Sequence, residues 1–400
     1  MFKGALPGFR DFYPQELAER TYIMNTWREV ARRYAFVEYD GPPLEPLELY
    51  TRKSGDEIVG QLYNFVDKGD REVALRPEMT PTVARMVAAR ANALRKPVRW
   101  FSIPQLFRYE RQQKGRLREH YQLNVDLFGE ADVAADAELL AACIDMLRAF
   151  GLTAADVVAR VSDRRILHAY LLGLGVPEQT MAGVHAVSDK IQRAPRDISV
   201  EKLQALSVPA GAIEAVLRIG EATMDDVAAA VPHFAATEDA QRFVRYLAYL
   251  RALGVADHVR LDLSIVRGLA YYTGIVFEIF DTKGEFRAIA GGGRYDNLLA
   301  SLGGADMPAL GFGMGDVVLG ELLRARGLLR PSAIGPDVWI AAEETEPLER
   351  VMAGAAARRA AGQSVEYALR PQSLSKQKKA AQASGALEFV TLSNDDERHG

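Results

Sequence analysis

The densest group of reactive side chains in this 400-residue sequence lies between positions 107 and 122. Five cations fall within eleven residues there: Arg108, Arg111, Lys114, Arg116 and Arg118. Guanidinium groups bind phosphate oxygens in bidentate geometry, so this stretch suits a polyphosphate ligand. A solvated, exposed hairpin is the other explanation of such a charge run, and the sequence leaves both open.

Three further segments place polar or small residues beside predicted strands. Glu78 and Thr80 follow one strand, where Thr80 either caps a helix or faces a ligand. Arg267 and two tyrosines lie between two other strands, and an ordinary core position does not explain the arginine. Glycines crowd 291–296 and 311–315, where they permit close approach of a ligand or another strand.

Several other chemistries are excluded by what the sequence lacks. It contains neither G-x-G-x-x-G nor G-x-x-x-x-G-K-[ST], so Rossmann and P-loop nucleotide sites have no support. Its six histidines show no metal-binding spacing. Its one cysteine, Cys143, forms neither an internal disulfide nor a thiolate cage. Because Cys143 falls on an apolar helical stripe, we expect a buried, unreactive thiol.

Composition indicates an ordinary globular protein. Hydrophobic residues make up 48% and charged residues 26% of the chain, which argues against disorder. A net charge of −4 argues against a protein that coats nucleic acid nonspecifically. No apolar run approaches the roughly 18 residues of a membrane helix, and no signal segment is recognisable at the start. A cytoplasmic location is therefore expected.

The elements that would position these residues follow from hydrophobic spacing. Apolar residues three and four apart predict helices at 15–34 and 133–150. Strands are predicted at 71–75, 98–102 and 123–128. In the last of these, Leu123, Val125 and Leu127 alternate with polar residues, so one face can pack while Asp126 projects from the other.

The texture of the sequence predicts three domains. Helical patterns dominate residues 163–255, and strand patterns return at 258–263, 275–280 and 287–290. Residues 1–162 and 256–327 would therefore form one discontinuous core around a helical insertion at 163–255. A third domain at 334–400 reads as strand, helix, strand, helix, strand, which is a small α/β unit.

In this order, the segments resemble class II aminoacyl-tRNA synthetases, and specifically the histidyl-tRNA synthetase family. Residues 7–11 are similar to its N-terminal signature, 34–45 to motif 1, 107–122 to motif 2, and 311–319 to motif 3. The run R-G-L-A-Y-Y at 267–272 and the segment 291–296 resemble its two histidine-specific elements. The resemblance implies an α/β (α+β) fold, in which helices flank an antiparallel sheet. The helical insertion and a shortened, anticodon-binding-like C-terminal α/β domain fall where the family places them.

The resemblance also implies a reaction and a set of site residues. L-Histidine would be activated by ATP to histidyl-adenylate and pyrophosphate, then transferred to the 3′ end of tRNA(His). The implied catalytic residues are Arg108 and Arg267, which would hold the α-phosphate. The implied ATP-binding residues are Arg108, Glu110, Arg116 and Arg294. The implied histidine-binding residues are Glu78, Thr80, Gln122, Asp126, Arg267, Tyr271, Tyr272 and Tyr295.

Cofactors and partners follow from the same resemblance. ATP and the Mg²⁺ that it carries would be required, with no metal bound by the protein itself. Motif 1 implies a homodimer. The basic stretch at 370–379 is a candidate for contact with the tRNA backbone, although a solvated helix face explains it equally well. No membrane association is expected.

The sequence departs from the family pattern at two motif positions. Val318 stands where motif 3 usually carries an arginine for ATP, and Ala270 replaces the aspartate of R-G-L-D-Y-Y. The same two features occur together in a branch of the family that includes plant organellar enzymes. If Val318 removes a phosphate ligand, Arg116 or Arg294 would be the compensating cation.

A different function remains as an alternative. The regulatory subunit of ATP phosphoribosyltransferase is a non-aminoacylating paralogue that binds histidine. It tends to lose the charged residues of motif 2, whereas Arg108, Glu110 and Arg116 are all present here. The short C-terminal domain and Val318 favour the paralogue, and the retained charges favour the enzyme.

Overall fold

The computed structural model describes residues 4–51, 59–110, 115–188, 191, 194–266 and 272–392. The chain divides into two compact units: Met1–Asp11 with Ile23–Leu329, and Phe12–Tyr22 with Arg330–Gly400. In the described ranges, no helix combines the length and apolar character that crossing a membrane requires.

The first unit is built on a large sheet. The strands of this unit are β1 (Val37–Glu38), β2 (Leu44–Pro46), β3 (Tyr63–Val66), β4 (Glu72–Leu75), β5 (Val98–Ser102), β6 (Gln105–Phe107), β7 (Glu119–Phe128), β8 (Val157–Asp163), β9 (Val259–Leu261), β10 (Ile275–Asp281), β11 (Ala290–Arg294) and β12 (Ala309–Gly315). Nine described strands form the large sheet in the order β1-β5-β7-β12-β11-β10-β8-β9, with β6 paired to β7. Pairs from β5 to β8 along this order are antiparallel, and only the outer pairs β1–β5 and β8–β9 are parallel.

Helices cover the sheet and extend beyond it. Those of the chain are α1 (Pro14–Arg33), α2 (Glu48–Thr51), α3 (Thr80–Arg90), α4 (Val133–Ala149), α5 (Arg164–Gly173), α6 (Met181–Ser188), α7 (Arg196–Ala205), α8 (Ala210–Leu217), α9 (Met224–Ala230), α10 (Glu238–Ala252), α11 (Leu298–Ser301), α12 (Asp316–Ala325), α13 (Leu348–Ala360) and α14 (Leu374–Ser384). The predicted helices at 15–34 and 133–150 are confirmed to within a residue.

Helix α4 shows why the sequence pattern was sufficient there. Asp132 caps its N-terminus by accepting a hydrogen bond from the Ala134 N–H at 2.8 Å, which satisfies one orphan donor of the first turn. Its apolar stripe is buried against the sheet side of the unit, and Cys143 is fully buried on it. Burial raises the pKa of the Cys143 thiol well above its ordinary value, so the predicted inert thiol is confirmed.

A second, smaller sheet leads into the site. Strands β2, β4 and β3 pair in that order, and α3 begins five residues after β4 ends. Thr80 is the first residue of α3, whereas Met79 is the N-cap and makes no side-chain cap bond. The capping role considered for Thr80 is therefore wrong, because the helix starts one residue too early for it.

The strand predicted at 287–290 is displaced in the structure to β11 at 290–294. Glycine is normally depleted in strands because it lacks a side chain to pack, so the run Gly291–Gly293 looked like a loop. It is instead fully paired, with β10 on one side and β12 on the other. The flanking strands supply the pairing that the glycines themselves do not favour.

The second unit contains a parallel three-stranded sheet. Strands β13 (Val338–Ala341), β14 (Val365–Tyr367) and β15 (Glu388–Thr391) lie in the order β14-β13-β15. Helix α13 packs on a core around Val338 and Ile340, and α14 contributes Ala381 to a second core around Trp339. Parallel strands need crossover helices, so the predicted strand–helix alternation produced this arrangement.

Candidate active site

A cavity of about 260 Å³ opens on the face of the large sheet where β7, β11 and β12 adjoin. Most of the predicted site residues line it: Glu78, Thr80, Arg108, Glu110, Arg116, Gln122, Asp126, Tyr272 and Tyr295. They come from segments scattered over more than half the chain, and the fold brings them together. Arg267 and Tyr271, and with them Ala270, lie outside the described residues.

Glycines create the space for this cavity. Gly311 and Gly313 on β12 lie opposite Asp126 and Asn124 of β7. A Cβ on Gly311 would overlap Asp126 Oδ1, and one on Gly313 would overlap the amide of Gln122. Glycine at these two positions therefore lets the polar side chains of β7 lie across the face of the sheet.

The exposed face of β7 carries a ladder of polar side chains two residues apart. His120 Nε2 lies 3.1 Å from Gln122 Oε1, and Gln122 Nε2 donates to Asn124 Oδ1 at 3.0 Å. Burial, together with the nearby positive charge of Arg108, lowers the pKa of His120 to about 4. The imidazole is therefore neutral near pH 7, and as a donor from Nε2 it fixes which way the Gln122 amide points.

The inner end of the cavity, formed by Asp126, Tyr272 and Tyr295, is deeply buried. The Tyr295 hydroxyl donates to Asp126 Oδ1, while Asp126 Oδ2 is buried with no hydrogen-bond partner among the described residues. Burial raises the pKa of the Asp126 carboxyl to about 7, and the bond from Tyr295 opposes that rise. The Tyr272 ring meets the Tyr295 ring edge-on, at 6.5 Å between centroids. The inner end thus offers a ligand one hydrogen-bond acceptor within aromatic walls.

The outer end of the cavity, formed by Arg108, Glu110 and Arg116, is charged. Arg108 Nε donates to the Pro77 carbonyl at 2.8 Å, which anchors the guanidinium to the backbone. Arg116 Nε lies 3.0 Å from Glu110 Oε2, and the Arg116 side chain is 40% exposed. Fixed guanidinium groups in a partly closed site suit a ligand with several negative charges.

A buried ion cluster supports the cavity from behind. Arg10 Nε lies 2.6 Å from Glu119 Oε1, and its Nη1 lies 2.9 Å from Asp316 Oδ2. Asp316 also accepts a hydrogen bond from the Tyr121 N–H at 3.0 Å. One arginine from the N-terminal segment therefore ties the start of β7 to the start of α12, although the sequence assigned no role to it.

The structure corrects the ATP-binding role predicted for Arg294. Its Nη2 lies 2.6 Å from Asp136 Oδ2 and its Nη1 lies 3.1 Å from Asp296 Oδ1. Nη1 also donates to the Glu130 carbonyl at 3.0 Å, and the side chain is 1% exposed. Because this guanidinium is neutralised within the core and does not line the cavity, it has no position from which to hold a phosphate.

Sequence reasoning missed two polar residues of the cavity wall, His120 and Asn124. Both could have been found from strand alternation, because positions 120, 122, 124 and 126 share one face of an unbroken strand. The strand was predicted to begin only at 123, so His120 fell in the preceding loop.

Comparison with known proteins agrees with this site. The family model described as histidyl-tRNA synthetase matches residues 8–315. A histidine–tRNA ligase of Opitutus terrae is 46% identical to 96% of this chain, over 89% of its own length. A chloroplastic/mitochondrial histidine–tRNA ligase of Arabidopsis thaliana is 43% identical to 80% of the chain, over 66% of its own length.

Solved structures share the fold at lower identity. A histidyl-tRNA synthetase from Nostoc sp. superposes with a TM-score of 0.79 at 23% identity, over 96% of this chain and 90% of that one. A Bacillus halodurans protein described as an ATP phosphoribosyltransferase regulatory subunit/histidyl-tRNA synthetase gives 0.79 at 22%, over 98% of both chains. Both predicted functions therefore occur on this fold, and the fold alone does not separate them.

Proposed function

The chain belongs to the histidyl-tRNA synthetase family, and from that premise we propose that the cavity on its large sheet is where histidine is activated. The protein is an aminoacyl-tRNA ligase that attaches L-histidine to tRNA(His) for translation, at the expense of ATP. In the first step the histidine carboxylate attacks the α-phosphorus of ATP and pyrophosphate leaves. In the second step the terminal hydroxyl of tRNA attacks the adenylate and AMP leaves.

The inner end of the cavity would receive the imidazole ring. Asp126 Oδ2 is a buried acceptor with no described partner, so an imidazole N–H donating to it would satisfy both groups. Tyr295 holds the other oxygen of the same carboxylate. A side chain that lacks such a donor would leave Asp126 Oδ2 unsatisfied, and the site would reject it for that reason.

The charged ends of the amino acid would face the polar residues between the two ends. Glu78, at 5% exposure, is a buried carboxylate suited to the substrate ammonium. Gln122, oriented by His120 and Asn124, and Thr80 supply neutral hydrogen-bonding groups nearby. We assign histidine binding to these three residues together with Asp126, Tyr272 and Tyr295.

The outer end would hold ATP. Arg108, anchored by the Pro77 carbonyl, is placed to stabilise negative charge that builds on the α-phosphoryl oxygens during attack. Arg116 and Glu110 would contact the rest of the nucleotide. Arg267 stays a predicted second cation on the α-phosphate, on the strength of the family resemblance.

Mg²⁺ would enter as the ATP complex. This ion keeps several waters and takes phosphate oxygens with one or two carboxylates as ligands. Glu78 and Glu110 are carboxylates of the cavity wall that meet this requirement. Bound in this way, Mg²⁺ would neutralise part of the phosphate charge.

Assembly and tRNA contacts are inferred from the family. We propose a homodimer through residues 34–45, where Val37 is 61% exposed on a short strand of the sheet edge. Residues 163–255 would be the helical insertion, 334–400 an anticodon-binding-like domain, and the basic stretch 370–379 a contact for tRNA. The expected compartment is the cytoplasm.

One observation carries the proposal: a buried carboxyl acceptor and anchored arginines line the same cavity. Its test is histidine-dependent exchange of labelled pyrophosphate into ATP, measured without tRNA. We expect robust exchange by the unaltered protein and a loss of at least about a hundredfold in Arg108→Ala, because a transition-state cation is removed. Arg251→Ala, an exposed arginine on α10, is the matched control and should exchange normally.

The opposite result has a definite meaning. A folded protein that binds histidine by calorimetry but shows no exchange would be the histidine-sensing regulatory paralogue. The arginines at the outer end would then be remnants without a substrate.

A further inference from the structure

The cation that stands beside Val318 in the structure is Arg287. Two candidates from the sequence are differently placed: Arg294 is held in the core by Asp136, and Arg116 is paired with Glu110. A Cβ built on Gly115 would lie 3.5 Å from Val318 Cγ2 and 3.8 Å from Arg287 Cδ. Val318 and Gly115 both line the cavity, so the Arg287 side chain runs past its outer rim.

The backbone that carries Arg287 is held in place. The buried Asp281 carboxylate accepts hydrogen bonds from the N–H groups of Glu285 at 2.9 Å and Phe286 at 3.0 Å. The Ile289 N–H then donates to the Ile279 carbonyl at 2.8 Å, which closes the connection between β10 and β11. Arg287 therefore leaves a fixed turn directly before Ala288, the first residue of this segment to line the cavity.

The loop opposite Arg287 is shaped to admit it. Gly115 adopts a φ of +74°, in the left-handed region that favours glycine. A side chain at 115 would press on both Val318 and Arg287, whereas glycine leaves room for the arginine stem to lie against the turn. Val318 is apolar and supplies no charge, so Arg287 provides the guanidinium on this side of the rim.

The charge of the substrate calls for such a group. Most of the negative charge of ATP sits on its outer two phosphates, which also form the leaving pyrophosphate. Arg108 is assigned to the α-phosphate and Arg116 is already half-compensated by Glu110. We propose that Arg287 is a further ATP-binding residue, whose guanidinium contacts the outer phosphates of ATP and the departing pyrophosphate. This inference rests on the proposed function of the cavity.

The test separates outer phosphates from the rest of the nucleotide. In Arg287→Ala, we expect the Kd for ATP to rise about tenfold, the magnitude of one charge-assisted contact, while the Kd for AMP stays unchanged. The KM for pyrophosphate in the exchange reaction should rise with it, and the KM for histidine should not. Arg287→Lys should recover part of the loss, and Arg251→Ala should behave like the unaltered protein.

A second variant tests the position as well as the charge. Adding Val318→Arg to Arg287→Ala should restore ATP binding, because the new guanidinium would start beside the one removed. Unchanged ATP binding in Arg287→Ala, or equal weakening of ATP and AMP, would overturn the assignment. Absence of histidine-dependent exchange in the unaltered protein would instead refute the proposed function, so the two failures are distinguishable.

Discussion

The inner and outer ends of the cavity solve opposite electrostatic problems. At the inner end, Asp126 is buried so deeply that its pKa rises to about 7, and it keeps one oxygen for a ligand. At the outer end, Arg116 is 40% exposed and already paired with Glu110. A dry acceptor discriminates strongly between ligands, because a wrong ligand leaves it unsatisfied. A wet cluster of charges contributes binding and transition-state stabilisation, with less discrimination.

The largest expected effect comes from filling the inner end. Gly311→Ala places a methyl group against Asp126 Oδ1 and 2.7 Å from the Val125 carbonyl oxygen, so the carboxylate must move. We expect exchange activity to fall at least about a hundredfold, since small displacements of a binding group have effects of that size. The measurement is pyrophosphate exchange at saturating ATP. Gly211→Ala on α8, where an added Cβ meets nothing within 4 Å, is the control and should retain activity.

Removing the charge of Asp126 without changing its shape is expected to have the next largest effect. Asp126→Asn should raise the KM for histidine about thirtyfold, the equivalent of about 2 kcal/mol for a charged hydrogen bond. The KM for ATP should stay within about twofold, because the outer end does not depend on Asp126. Steady-state exchange with each substrate varied in turn decides the matter. A larger change in the KM for ATP than in that for histidine would show that the two ends are not separate.

The raised pKa of Asp126 predicts how stability depends on pH. Its folded-state pKa of about 7 lies above the ordinary value near 4, so the folded state binds the proton more tightly. That contribution to stability is fully present below about pH 4 and is lost as the pH rises through about 7. Thermal melts of the unaltered protein should therefore lose stability relative to Asp126→Asn between about pH 4 and pH 8. Parallel melting curves over that range would contradict the assigned pKa.

The smallest effect is expected at the exposed arginine of the outer end. Arg116→Ala removes a half-exposed charge that is paired with Glu110, and exposed pairs contribute up to about 1 kcal/mol. We therefore expect the KM for ATP to rise by about fivefold, and that for histidine to stay constant. The same exchange assay measures both. An effect on the KM for histidine as large as that on the KM for ATP would argue against the separation.

The sequence predicted the elements of this fold better than the contacts of its site. Apolar spacing located α1 and α4 closely, because both helices bury one continuous stripe. It misplaced β11, since the pairing of Gly291–Gly293 depends on two strands that are remote in sequence. Thr80 and Arg294 were misread for a similar reason: residue type gave the chemistry, while helix start and side-chain direction were set by the packing around them.

The polar ladder on β7 could have been predicted in part. Gln122, Asn124 and Asp126 alternate with buried apolar residues, so their common face follows from the strand period. That this face would be left open depends on Gly311 and Gly313, which reach it only through the β12–β7 register. Register between distant strands is a property of the whole fold, and no local pattern encodes it.

The most direct test of the account is a crossed comparison of Asp126→Asn and Arg116→Ala in histidine-dependent pyrophosphate exchange. The KM for histidine and the KM for ATP would be measured for both variants, with Arg251→Ala as the control. The account predicts a crossed pattern, in which Asp126→Asn raises the KM for histidine alone and Arg116→Ala raises the KM for ATP alone. If both variants raise both constants equally, the cavity is not divided into a histidine end and an ATP end.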